Sequence, residues 1–146
     1  MAGTITGVIT RLPVKSGRPA VLKLVLTCTA DATAHTFPAT VINDLAVDSD
    51  GRTFDLRGLK LYSVKAAPGG TAPTDATDLT ITDEYGVDLI GGRGTDFIDA
   101  TSKTWTPAGP ATYNLPALIT GDVTVTITNN AVDSAIVTLV LEFVGN

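Results

Sequence analysis

The chain is poor in the residues that carry chemistry. It has one cysteine and one histidine, and only two of its fifteen acidic residues are Glu. A single cysteine excludes an intramolecular disulfide. Cys28 lies in the apolar run Val21–Cys28 and is expected to be a buried structural thiol rather than a nucleophile. One His with one Cys cannot close a structural zinc site. His35 sits in a polar stretch, Asp31–Thr36, and no Gly-x-Ser-x-Gly elbow exists for it to serve, so a loop or strand-end histidine is expected. No catalytic residue, metal ligand or cofactor site is assigned, and the chain is expected not to be an enzyme.

Other absences exclude partners. The formal net charge is -5, and no Lys/Arg cluster is present to displace counterions from a nucleic acid. No apolar stretch reaches the roughly 18–20 residues that span a bilayer, and the N-terminus lacks the charged segment and apolar run of a signal peptide. Neither a nucleic acid nor a membrane is expected as partner, and the chain is expected to be made in the cytoplasm. Aromatics are 5% of the residues. Trp105, flanked by Thr104 and Thr106, and Tyr113 are the candidates for a small sugar-stacking platform; core or interface packing is the alternative.

What the chain does have is threonine, about one residue in six, often alternating with Val or Ile. β-branched side chains lose less freedom in a pleated sheet than in a helix. Strands are expected at 4–10, 21–29, 40–42, 56–64, 78–82, 86–90, 97–105, 122–128 and 135–144, with a short helix after Pro38 the alternative within 37–47. Gly, Pro and Asp punctuate them, with Ser49-Asp50-Gly51-Arg52 the plainest tight turn. The alternation in Asp122–Thr128 sends Val123, Val125 and Ile127 inward and predicts an antiparallel hairpin with Ala135–Val144. Segments 78–82 and 86–90 are expected to form another. With no repeat or linker, the expected architecture is all-β, a single-domain antiparallel β-sandwich or jelly roll over 1–146, with 1–18 open to being a partly extended N-terminal arm.

The carboxylates sit where turns sit. Asp48-Ser49-Asp50-Gly51 starts like a calcium loop, but Arg52 and Thr53 follow where ligands belong. Asp83, Asp88, Asp96 and Asp99 could converge as paired acids or a cation site, although their spacing does not require it. Gly92-Arg93-Gly94-Thr95-Asp96-Phe97 breaks the dinucleotide fingerprint at Phe97 and opens no helix.

One pattern bears on partners. In the last strand Val137, Leu139, Leu141 and Phe143 form one face, yet the other carries Ile136, Val140 and Val144. Val21 and Val25 repeat this on the second strand. A strand apolar on both faces is covered on both, either by another layer of its own chain or by a neighbouring subunit. These five residues are the candidate interface.

Leu59-Lys60-Leu61-Tyr62, Pro68-Gly69-Gly70, Pro73-Thr74-Asp75, Asp78–Asp83, Gly86–Gly92 and Val125–Asn130 with the closing apolar strand together resemble small virion structural proteins of tailed bacteriophages. The resemblance covers residues 56–144 and is a pattern of strands and turns. It implies a β-rich homo-oligomer in the virion, most simply a decoration (cement) protein that binds the major capsid protein on the outer shell and stabilises it. A tail, tail-tip or fibre-associated subunit is the alternative within the virion, and a carbohydrate-binding module the alternative outside it. The resemblance implies no catalytic residues.

Overall fold

A computed structural model describes residues 2–13, 15–112 and 115–145. The fold is an all-β antiparallel sandwich. Among the described residues the nine strands are β1 (Thr4–Leu12), β2 (Ala20–Thr29), β3 (Thr40–Val41), β4 (Lys60–Pro68), β5 (Asp78–Thr82), β6 (Thr104–Pro107), β7 (Ala117–Leu118), β8 (Thr124–Thr128) and β9 (Ile136–Gly145), with one 3-10 turn at Asn43–Leu45. The larger sheet runs β1-β2-β9-β4-β6, with β7 attached to β4, and the smaller runs β3-β8-β5. Six strands against three is a sandwich rather than the two four-stranded sheets of a jelly roll.

Alternation builds both inner faces. Leu22, Leu24, Leu26 and Cys28 of β2 face the core beside Val137, Leu139, Leu141 and Phe143 of β9. Opposite them stand Leu79 and Ile81 of β5 and Val125 and Ile127 of β8. Connections supply the rest: Ile42, Leu56, Ile90 and Ile98 are fully buried in the same cluster. Burying each such aliphatic side chain contributes on the order of 1.5–3 kcal/mol, so the ordered loops belong to the core as much as the strands do. Burial also pushes the Cys28 thiol up to about 12, which keeps it protonated and inert at neutral pH.

Four expected elements differ. The hairpin of 122–128 with 135–144 does not form: β8 pairs with β5 and β3, whereas β9 inserts between β2 and β4 of the other sheet. The connection between β8 and β9 therefore crosses from one layer to the other. Asn130 holds it, its Nδ2 donating to the carbonyls of His35 at 2.7 Å and Val132 at 2.9 Å while its Oδ1 accepts from Thr74 N at 3.1 Å. Strand β4 starts at Lys60 instead of 56 and runs through Pro68, because Leu56 is buried by a loop rather than by a ladder. Segment 97–105 is mostly irregular; Phe97 and Ile98 are buried there, Ile98 makes a single bridge to Thr77, and a strand forms only at Thr104–Pro107, paired with β4. Segment 86–90 makes one bridge, Thr82 to Asp88, and not a strand.

Two glycines fix the long connection between β5 and β7. A Cβ on Gly94 would lie 1.6 Å from the Leu79 carbonyl oxygen, and Gly109, at φ +92°, would meet the Leu115 carbonyl oxygen at 1.9 Å. Only a residue without a side chain lets the backbones approach that closely.

Candidate functional site

The carboxylates hold loops together. Asp48 Oδ1 accepts from Asp50 N and Arg52 N, closing the turn read at Ser49–Arg52. Asp83 Oδ1 accepts from Tyr85 N and Val87 N, and Asp88 accepts from Ile90 N and Gly92 N. Asp99 accepts from Thr101 N and Ser102 N, which, with the Thr101 hydroxyl, hold its carboxyl below the ordinary range. The backbone amides of Ala34 and Thr33 hold Asp31 down to about 2. The carboxylates of Asp83, Asp88 and Asp99 are thus each engaged locally, and no group of three or more His, Cys, Asp or Glu that could hold a metal ion occurs among the described residues. Asp96, at φ +53°, donates its amide to Asp78. His35 Nδ1 lies 2.5 Å from Asp133 Oδ1 on the surface. Arg93 spans to the carbonyls of Gly109, Pro110 and Ala111 at 3.0–3.1 Å, so it stitches a loop where a phosphate cradle would need open amides.

The feature that no internal partner explains is the outward face of the larger sheet. The register aligns its side chains in rows across the strands. One row runs Val8, Val25, Val140, Lys65, Trp105 from edge to edge. A second runs Leu12, Val21, Val144, Lys60, Leu118. Between them lies Thr10, Lys23, Glu142, Ser63, and beyond the first row Thr6, Thr27, Thr138, Ala67. Cross-strand neighbours of this kind touch, so a row of valines makes a continuous apolar stripe. Val8 is 52% and Trp105 57% exposed. Trp105 stands beside a shallow groove of about 370 Å³ lined by Lys65, Ala67, Lys103, Thr138 and Val140.

Glu142 organises the centre of this face. Its Oε1 accepts from Lys65 Nζ at 2.6 Å and its Oε2 from Ser63 Oγ at 3.3 Å. The Lys65 ammonium holds its carboxyl below the ordinary 4.5 against a partly opposing desolvation, with smaller help from Ser63 and Lys23. A bulge between Leu61 and Ser63 displaces Tyr62 from the pairing, and Tyr62 is more than half exposed. Past β7, Val87, Pro110 and Ala117 border a second apolar groove of about 300 Å³, with Leu115 and Leu118 exposed nearby in the chain.

Val21, Val25, Ile136, Val140 and Val144, the residues singled out in the sequence, all lie half-buried on this one face. The described residues of their own chain cover them only in part. Trp105 lies on the same face and not on a separate platform; Tyr113 is outside the described residues. Val8 lies in the N-terminal segment 1–10, which the sequence also offers as a contact surface. Sequence reasoning missed Tyr62, Val87, Leu115 and Leu118, which come from short or bulged elements that leave no period to read.

No protein-family model matches the chain, and no curated protein does. A solved structure does. A chain of the cyanophage Pam1 capsid asymmetric unit superposes with a TM-score of 0.55 at 14% identity, over 92% of this chain and 91% of that one. Identity this low establishes a shared fold. The likeness runs nearly end to end in two chains of similar length.

Proposed function

We propose that the chain is a bacteriophage virion structural protein that binds the outer surface of the capsid as a decoration, or cement, subunit and has no catalytic role. The observation that carries the reading is the outward face of the larger sheet: three valines in a row, followed by Lys65 and an exposed tryptophan, on a face that the described residues leave partly open. Contiguous apolar surface of this kind marks a docking site. The fold likeness to a chain of a phage capsid asymmetric unit supports the setting. Engagement of the carboxylates in loop geometry supports a subunit that assembles rather than one that turns over a substrate.

The mechanism is added buried surface. One copy contributes a modest contact, and symmetric copies linked to each other bind together far more tightly than each does alone. The second groove, around Val87 and Ala117, offers a separate place for copies to meet. A capsid held at many points in this way resists the outward pressure of its genome.

The test is the solution mass of the purified protein by light scattering, followed by co-sedimentation with capsids that lack it. An oligomer that pellets with capsids is the expected result. A monomer that stays in the supernatant at micromolar concentration overturns the reading and moves attention to tail assemblies and to glycan binding at Trp105.

A further inference from the structure

Charge is divided unevenly over the molecule. Lys23, Lys60 and Lys65 stand on the outward face of the larger sheet, and Lys103 lines its groove beside Trp105. The acid in those rows is Glu142, already bound to Lys65. Four of ten basic residues and one of fifteen acidic ones therefore belong to this face, which leaves six basic against fourteen acidic elsewhere. Among the described residues Lys60 and Lys103 have no carboxylate within ion-pair distance. The chain is acidic, and its apolar face is cationic.

From this we infer that the occupant of the face is an acidic protein surface with apolar side chains between its carboxylates, borne by the capsid and not by the same face of a second copy. The inference rests on the capsid-binding reading and names the chemistry of the partner. Two copies meeting face to face would bring lysines toward lysines, with each Glu142 already engaged; like charges in a desolvated contact oppose association. A carboxylate-bearing surface would instead meet the ammonium groups while its apolar side chains covered Val25, Val140 and Trp105. Electrostatic complementarity of this sort acts chiefly on encounter and register, and salt screens it.

The experiment is capsid co-sedimentation of the intact protein at about 50 mM and about 500 mM salt, with K60E/K103E and K60R/K103R beside the wild type and thermal midpoints confirming that each folds. Wild-type affinity is expected to fall about tenfold across that salt range, K60E/K103E to bind at least about tenfold more weakly at low salt, and K60R/K103R to bind as the wild type does. Wild-type binding that is strong and indifferent to salt and to both variants overturns the inference and leaves the capsid reading standing. No wild-type binding at all overturns the capsid reading and this inference with it. Self-association of the free protein that K60E/K103E abolishes assigns the face to copy-on-copy contact, and duplex DNA binding lost in the same variant assigns it to nucleic acid; either overturns the proposal.

Discussion

The two sheets turn very different surfaces outward. On the smaller sheet the outward positions of β8 and β5 are Thr124, Thr126 and Thr128 opposite Thr82, Thr80 and Asp78. On the larger sheet the outward positions of β2 and β9 pair Val21 with Val144 and Val25 with Val140, with Lys23 and Glu142 between them and Thr27 and Thr138 beyond. Both sheets obey the same alternation, and both inner faces are mainly apolar. Threonine keeps the β-branched shape that strands favour and adds a hydroxyl that water can solvate. Valine in the same place keeps the shape and forfeits the hydration. The difference between the outward faces is therefore a difference in what covers them, water in one case and a partner in the other.

Substitutions can break that comparison. The largest effect is expected in the shared core, as a reference for the rest: Leu139→Ala should cost about 2–5 kcal/mol in denaturant unfolding, through lost burial and the cavity left behind. Gly94→Ala should follow at ~3 kcal/mol, because its Cβ would overlap the Leu79 carbonyl and the backbone must move. A paired experiment then contrasts the two outward faces. Val140→Asp should leave unfolding within about 1 kcal/mol of the wild type and abolish capsid co-sedimentation, whereas Thr126→Asp should alter neither. Equal loss of binding from both would erase the distinction between the faces. Trp105→Ala should weaken capsid binding by about 2 kcal/mol, the scale of an aromatic anchor, with little change in stability.

The smallest effect is a dependence on pH. The carboxyls of Glu142, Asp31 and Asp99 lie below their ordinary values in the folded chain. A depressed carboxyl contributes stability that is fully present above its unfolded pKa and is lost as pH falls through its folded one. The thermal midpoint should thus be level from neutrality down to about pH 5 and decline below the ordinary values of 4.5 and 3.8, toward the value of about 2 held by Asp31. Glu142→Gln should flatten the upper part of that decline. A midpoint that rose on acidification through this range would contradict the hydrogen bonding described.

Much of the inner architecture was legible because alternation is a local property. The core residues of β2, β8 and β9 could be read directly, and the outward valines with them. Pairing was not legible. Nothing within Val123–Ile127 records which sheet it joins, and the polar connection after it suits a hairpin as well as a crossover; Asn130 chooses through contacts with Thr74 and His35, far away in the chain. Phe97 and Ile98 were misread as part of a longer strand because they are buried from an irregular segment whose one bridge, Ile98 to Thr77, leaves no period to read. The candidate face was half visible. Its valines show in the sequence, whereas its cationic character depends on lysines from β2, β4 and the residue before β6, which only the register brings together.

The placement of β9 also bears on how the chain is built. It is the last strand in sequence, yet it lies at the middle of the larger sheet, with β2 on one side and β4 on the other. Before residues 136–145 leave the ribosome, the β1–β2 ribbon and β4 have nothing to join them, and their apolar inner faces stay open. Contacts this distant in sequence also close slowly. Folding of the sandwich therefore finishes only after β9 has emerged, and an arrest of translation upstream of Ile136 would release a species prone to aggregate rather than a smaller working subunit.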